Sequence, residues 1–354
     1  MNVLSLFDGC GMSYVALKRL RIPVTNYYAS EIDKYAINVA KANHPDIIHL
    51  GDVQDISFKD GDIDLLVGGS PCQGFSFAGK QLNFDDPRSK LFFEYVRILK
   101  ECKPKYFLLE NVRMKQEYQD IISDALGVQP IAINSRLMSA QNRQRLYWTN
   151  IPNVTQPEDK GIVLQDILEH GFADREKSHC LDANYYKGGN LKTYFAKHRR
   201  QLVFSKDGLC HVGDADIKGN DTIKRVYHPS GKAPTLTTMG GGHREPKILC
   251  GAWRGRYTVD GVRQDHKHSV KGMTEQRLEV RTDGKTNSLT TVQKDNVAVD
   301  VSELQWRKLT PLECERLQTL PDNYTNHVSN TQRYKMLGNG FTVDVIAHIL
   351  KGIK

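Results

Sequence analysis

Short apolar runs alternate with amphipathic stretches over the first 150 residues. NVLSL (2–6), YYAS (27–30), IIHL (47–50), IDLLV (63–67) and YFLLE (106–110) are each four or five residues long and predict strands. IAINS and LYWTN, near 131 and 146, predict two more. Residues 13–21 and DKYAINVAKAN (33–43) predict helices. SKLFFEYVRILKE, apolar at 91, 92, 95, 96, 98 and 99, predicts a helix (89–101) with one buried face. Strands alternating with helices predict an α/β fold: a Rossmann-like, doubly wound, mostly parallel sheet with helices on both faces. Ligands of such sheets sit at the carboxyl ends of the strands.

The pattern changes after residue 180. The chain carries 49 Lys and Arg against 41 Asp and Glu, a net +8. Residues 181–300 hold 21 basic and 13 acidic residues, so this window accounts for the whole surplus, and it also holds 14 of the 28 glycines. GKAPTLTTMGGGHREPKI from Gly231 resembles GKTNSLTTVQKDNVAV from Gly284, with a fainter copy, EKSHCLDANYYKGGNL, from Glu176. The copies predict a hairpin-like unit used two or three times in a second, smaller, β-rich domain. A basic, turn-rich region predicts a polyanion partner, nucleic acid first. No apolar run reaches the roughly 18 residues of a membrane span, and MNVLSLFDG has neither the basic nor the long apolar segment of a signal peptide, so a cytoplasmic protein is expected. Seven scattered cysteines with no CxxC pair indicate neither a disulfide framework nor a zinc site.

Unusual residues cluster where the predicted strands end. Asp8, Gly9 and Gly11 follow the first, Glu31 the second, Asp52 the third and Cys72 the fourth. An acid some 20 residues after a glycine turn is the usual way such folds hold a ribose. FDGCGM is not a full GxGxxG, and a cofactor without a pyrophosphate does not need the third glycine. S-adenosylmethionine fits: the glycine turn around its methionine part, Glu31 on the ribose and Asp52 on the adenine amine. Cys72, in LLVGGSPCQGFSFAGK, is either a small buried hydrophobe at a turn or a nucleophile aimed out of a strand end.

SLFDGCGMS, GGSPCQGFS, DPRSKLFFE, LLENV, AQNRQRLYW, LTPLECERLQ and YKMLGNGFTV occur in this order. The series resembles the motifs of the DNA cytosine-5 methyltransferases. The resemblance covers residues 1 to about 150 and 306 to 350. It implies a catalytic, S-adenosylmethionine-binding domain over 1–152 and 306–354, and a target-recognition domain over 153–305. It implies methyl transfer from S-adenosylmethionine to carbon 5 of a cytosine flipped out of duplex DNA, leaving S-adenosylhomocysteine, with no metal. Cys72 is then the nucleophile toward carbon 6, because the thiolate is the reactive form. Glu110 supplies or shares a proton at ring nitrogen 3, and Asn111 anchors its turn. Arg145 grips the cytosine carbonyl oxygen, and Arg143 supports the nucleophile loop or the base, with Gln141 in support.

The same resemblance places Phe7, Asp8, Gly9, Gly11, Glu31, Ile32, Asp52, Val53, Ser70, Pro71, Leu91, Asn339 and Val343 around the cofactor. It gives Gln73, Ser76, Lys80 and Arg88, on the loop after Cys72, contacts to DNA. His243 and Arg244, in MGGGHR, are the candidate base readers. Four positions depart from the family pattern: Asp8 stands where many members have alanine, Met12 where many have glycine, Gly340 where many have a small polar residue, and Phe341 where many have valine. Arg316 is expected to tie the two domains together. The expected partner is double-stranded DNA, bound by a monomer without a membrane. The resemblance leaves room for a separate cognate restriction endonuclease. A tRNA methyltransferase and an inactive DNA-binding relative are the alternatives. The length and basicity of the variable region favour DNA over tRNA, and the presence of Cys72, Glu110, Arg143 and Arg145 favours an active enzyme.

Overall fold

A computed structural model describes residues 1–70, 87–189, 191, 194, 197, 199–205, 211–214, 225–227, 250–259, 262–263, 274–280, 296–298 and 305–353. Pro71, Cys72, Gln73, Ser76, Lys80, His243 and Arg244 lie outside the described residues, as does the side chain of Arg88. The chain forms two compact units. The first is Met1–Ile162, His179–Gly188 and Thr310–Lys354; the second is Val163–Ser178 and Gly189–Leu309.

The first unit is built on strands β1 (Asn2–Leu6), β2 (Asn26–Ser30), β3 (Ile48–Gly51), β4 (Leu65–Gly68), β5 (Tyr106–Val112), β6 (Ile131–Asn134) and β7 (Gln144–Thr149). Their order across the sheet is β3-β2-β1-β4-β5-β7-β6. The first five are parallel; β7 runs antiparallel to both β5 and β6. The sequence does not reveal that β7 slots between β5 and β6, because an alternating apolar run carries no information about strand direction. Helices α1 (Met12–Arg19), α2 (Lys34–Asn43), α3 (Pro87–Cys102) and α4 (Gln116–Leu126) connect the strands. The core between α3, α4 and the sheet contains Leu4, Leu66, Phe92, Tyr95, Ile122 and Trp148, all fully buried. This burial is the main force holding the layers, at roughly 25 cal/mol per Å² of apolar surface removed from water.

Three C-terminal helices complete this unit: α6 (Pro311–Leu317), α7 (Asn330–Asn339) and α8 (Val343–Leu350), counting α5 (Leu164–Ile167) in the second unit. Thr310 and Glu313 form a capping box at the start of α6. Helix α8 packs on α1, where Arg19 pairs with Asp344. Arg316 forks onto Asp322 at 2.9 and 2.6 Å, inside the same unit.

The second unit is β-rich. Strand β8 (Leu202–Ser205) pairs antiparallel with β15 (Gln305–Lys308), and β9 (His211–Asp214) with β10 (Arg225–Tyr227). Strand β11 (Cys250–Val259) pairs with β12 (Val262–Arg263), β13 (Thr274–Val280) and β14 (Asn296–Ala298). The buried Asp174 accepts from Arg175, from the Tyr194 hydroxyl (2.7 Å) and from Gln201 (3.0 Å). The copies beginning at Gly231 and Gly284 lie mostly outside the described residues. The copy from Glu176 is not a hairpin: residues 179–189 hold no strand, only a 3-10 turn at Tyr185–Lys187. Tyr185, Lys187 and Gly188 close local turns, and the Leu181 backbone bonds to the Gln141 and Arg143 side chains.

Candidate active site

The five parallel strands end along one edge of the sheet, and the segments after them line a cavity of about 600 Å³. The first segment is the turn after β1. Phe7, Gly9 and Gly11 all have positive φ (57°, 63° and 81°), so the chain doubles back sharply before α1 begins. Gly11 is the N-cap of α1, and a left-handed N-cap is open to glycine at little cost. The turn is tied down by Glu31 at the end of β2. Its Oε2 accepts from the Gly9 N–H (2.8 Å) and its Oε1 from the N–H groups of Ile32 and Asp33 (2.8 Å each). Phe7, Gly9, Glu31 and Ile32 all line the cavity, and Ile32 is 72% exposed there, a large apolar side chain with its face open.

Asp52 follows β3. Its Oδ1 accepts from the Gln54 N–H (3.0 Å), and its Oδ2 has no partner among the described residues. Val53 and Leu91 line the same wall. Asp8 behaves differently. It is 4% exposed, and its Oδ1 accepts from the hydroxyls of Tyr27 (2.7 Å) and Ser13 (3.4 Å), inside the fold between β1, β2 and α1. Its Oδ2 is buried without a hydrogen-bond partner. Burial pushes its carboxyl up to about 6, against the hydrogen bonds from Ser5, Tyr27 and Ser13 that favour the charged form.

The opposite end of the cavity is formed by β4, β5 and β7. Because β7 is antiparallel, its first residues stand beside the carboxyl end of β5, with Arg145 opposite Val112 and Tyr147 opposite Glu110. Arg145 and Glu110 are therefore diagonal neighbours on one face. Arg145 Nε lies 3.0 Å from Glu110 Oε1, and both side chains are nearly buried. Asn111 Nδ2 donates to Ser70 Oγ (3.2 Å), tying the end of β5 to the end of β4. Arg143 is 2% exposed and donates to the carbonyls of Leu181 (3.0 Å), Gly338 (3.3 Å) and Gly340 (2.9 Å). Gly338 must be glycine: a Cβ there would lie 2.3 Å from the Asp182 backbone. Phe341 packs on Gly69, whose own Cβ position is 3.4 Å from Glu110 Oε2.

The structure thus gathers most of the residues expected from the sequence around one cavity, Ser70 and Asn339 included. Gly11, Gln141 and Val343 do not line it. Gln141 is fully buried, and its Oε1 accepts from the Leu181 N–H (2.9 Å); the Val343 N–H donates to the Gln318 carbonyl (3.0 Å). The sequence reading missed Cys10, Met12, Gly69, Met336 and Gly340, which also line the cavity. Met12, Gly340 and Phe341 carried a signal, since each departs from the family pattern.

The chain matches the C-5 cytosine-specific DNA methylase family over residues 1–354. It belongs to that family. An orphan methyltransferase of Bacillus phage rho11s, M.Rho11sI, is 28% identical, across 99% of this chain and 97% of that protein. The type II methyltransferase M1.ScrFI of Lactococcus lactis subsp. cremoris is 30% identical, across 98% of this chain and 76% of that protein. Among solved structures, an Entamoeba histolytica methyltransferase superposes with a TM-score of 0.57 at 16% identity, covering 100% of this chain and 99% of that one. A DNA modification methyltransferase encoded within an E. coli prophage gives 0.54 at 22% identity, covering 100% and 98%. At these identities the superpositions show the fold.

The methyltransferase family implies S-adenosylmethionine as methyl donor, and the cavity suits it. Glu31 keeps lone pairs for ribose hydroxyls after its three backbone bonds, Asp52 Oδ2 is free to accept from an amine, and the exposed Ile32 offers an apolar surface to a ring. Among the described residues no helix is long and apolar enough to cross a membrane, and no group of three or more His, Cys, Asp or Glu could hold a metal ion.

Proposed function

We propose that this methyltransferase modifies carbon 5 of a cytosine flipped out of duplex DNA, through a covalent adduct on Cys72. The observation that carries the reading is the meeting of two sets of groups in one cavity: Glu31 and Asp52 at one end, the Glu110–Arg145 pair at the other. Cys72 lies outside the described residues; it follows Ser70, which lines the cavity between those ends.

The bound cofactor supplies an electrophilic methyl group. The chain's own residues do the rest. Glu31 and Asp52 hold the ribose and adenine. The Cys72 thiolate forms a bond to carbon 6 of the cytosine, and the displaced electron pair makes carbon 5 nucleophilic. Glu110 provides the proton that neutralises ring nitrogen 3 and takes it back once carbon 5 is methylated, and Arg145 donates to the carbonyl oxygen beside it. Once carbon 5 carries the methyl group, a base, for which a water suffices, removes its proton. The electrons of that C–H bond then expel the Cys72 thiolate. Arg143, bound by three carbonyls, keeps the strand carrying Arg145 in place.

Flipping the base costs a few kcal/mol, offset by contacts in the cavity and from Gln73, Ser76, Lys80 and Arg88. In this reading the second unit, Val163–Ser178 and Gly189–Leu309, recognises the target, with His243 and Arg244 reading bases; the basic surplus of residues 181–300 supports a duplex DNA partner. A cognate endonuclease, if the protein has one, is a separate chain.

The test is transfer of labelled methyl groups to duplex DNA and to tRNA. Label on DNA cytosine, lost in Cys72→Ser with cofactor binding intact, supports the proposal. A covalent complex with 5-fluorocytosine duplex, visible in a denaturing gel, supports the adduct. Label on tRNA alone would overturn the substrate, and a Cys72→Ser variant that keeps substantial activity would overturn the nucleophile.

A further inference from the structure

Arg143 poses an electrostatic problem that the mechanism leaves unanswered. The residue is 2% exposed, and its oxygen partners are three uncharged carbonyls. Burial and the neighbouring Arg145 both press it toward the neutral form. Among the described residues no carboxylate lies within ion-pair distance of it, since Glu110 bonds Arg145 instead. A buried cation with neither water nor a counter-ion is unfavourable by several kcal/mol. The group that completes its surroundings is a sulfur: Cys180 Sγ lies 3.5 Å from Arg143 Nη1 and 3.9 Å from Arg145 Nη2.

We propose that Cys180 is a thiolate counter-ion that fixes Arg143 and Arg145, and so acts as a positioning residue for methyl transfer. The inference rests on the function proposed above and adds a residue outside the seven blocks that carry the family resemblance. As an anion, the sulfur accepts from both guanidinium groups. Arg145 is then held between two anions, Glu110 at Nε and Cys180 at Nη2, which fixes the plane of its fork toward the cavity. As a thiol, Cys180 would donate to the Leu181 carbonyl (3.5 Å) and leave Arg143 facing an uncharged atom.

The charged groups around the sulfur are Arg143, just before β7, and Arg145 of β7. Glu110 of β5 stands behind Arg145, and His179 and Asp182 are its neighbours in the chain. Burial raises the thiol, but the two guanidinium groups outweigh it, and the net direction is down from the ordinary value. Cys180 is absent from the cavity lining, so it acts through the arginines and not on the substrate.

Two measurements test this. The first is the ultraviolet thiolate absorbance of the full-length protein minus that of Cys180→Ser, followed against pH without substrate; the other six cysteines cancel. A midpoint below roughly 8.5, the free-thiol value, is expected, and a midpoint at or above it overturns the proposal. The second is steady-state kinetics on duplex DNA. Cys180→Ser should lose about tenfold or more in kcat while its KM for S-adenosylmethionine stays within about twofold, and Cys180→Asp, which restores the charge, should regain most of the loss. A merely structural cysteine predicts the reverse order, with the near-isosteric serine active and aspartate worst, and that order overturns the proposal. If Cys180→Asp does not fold, the absorbance midpoint decides alone. Failure of the wild type to methylate any nucleic acid would sink the functional reading and leave the midpoint to judge the ion pair separately.

Discussion

Asp8 offers a quantitative test of the site's electrostatics. Its carboxyl is raised from 3.8 to about 6 because it is buried, with one oxygen lacking a partner. A rise of about two units corresponds to about 3 kcal/mol between the charged and neutral forms in the native state. The native protein holds this proton more tightly than the unfolded chain does. The associated stability is therefore fully present below about pH 4, falls as pH rises through about 6, and is gone above it. Asp8→Asn removes the titration. Asparagine adds its own pH-independent cost, since its amide N–H groups meet the place where Oδ2 now lacks a donor, but that cost cancels when the pH dependence is compared. The assay is urea unfolding of both proteins at pH 5, 6, 7 and 8. With the two values above, the wild type should lose about 1.4 kcal/mol relative to the variant between pH 5 and pH 8, most of it below pH 7. A difference that stays flat, or in which the wild type gains with pH, would refute the argument that the Asp8 side chain belongs to the fold interior.

Three further outcomes follow from the same geometry. Glu110→Gln keeps the size of the side chain but cannot ionise or supply the proton; methyl transfer should fall by about 10²-fold or more in kcat, with S-adenosylmethionine affinity by calorimetry unchanged. Glu31→Ala strips the Gly9, Ile32 and Asp33 N–H groups of their acceptor, so the cofactor should bind about tenfold or more weakly, with a lowered unfolding midpoint. Gly338→Ala drives a Cβ into the Asp182 backbone; it should destabilise the protein by about 1–3 kcal/mol in urea unfolding and lower kcat more than cofactor affinity.

The Glu31 and Asp52 end of the cavity was readable in the sequence because it depends on local patterns. A short apolar run ends, a glycine or an acid follows, and the sheet geometry puts Glu31 and Asp52 on one edge. The other end was readable only as residue types. That Arg145 meets Glu110 follows from the antiparallel insertion of β7, a long-range choice that no local period encodes. Asp8 was grouped with the other strand-end acids, and its turn inward depends on Tyr27 and Ser13, which only the fold brings near. Helix α4 did have a legible stripe in Tyr118, Ile122 and Leu126; α7, NTQRYKMLGN, has too few apolar positions to show one. Cys180 was counted among scattered cysteines, since its neighbours in space are 35 and more residues away in the chain.

The three carbonyls around Arg143 also bear on the order in which the molecule takes shape. They come from residues 181, 338 and 340, so the guanidinium has no complete set of acceptors until residue 340 has been made. The parallel strands can pair early, but closing the arginine wall requires segments separated by nearly 200 residues, the kind of contact that forms late in folding. A nascent chain would thus lack a finished Arg143–Arg145 wall, and the Glu31 and Asp52 end of the cavity, built on β1 to β3, should take shape before the end built on β5 and β7.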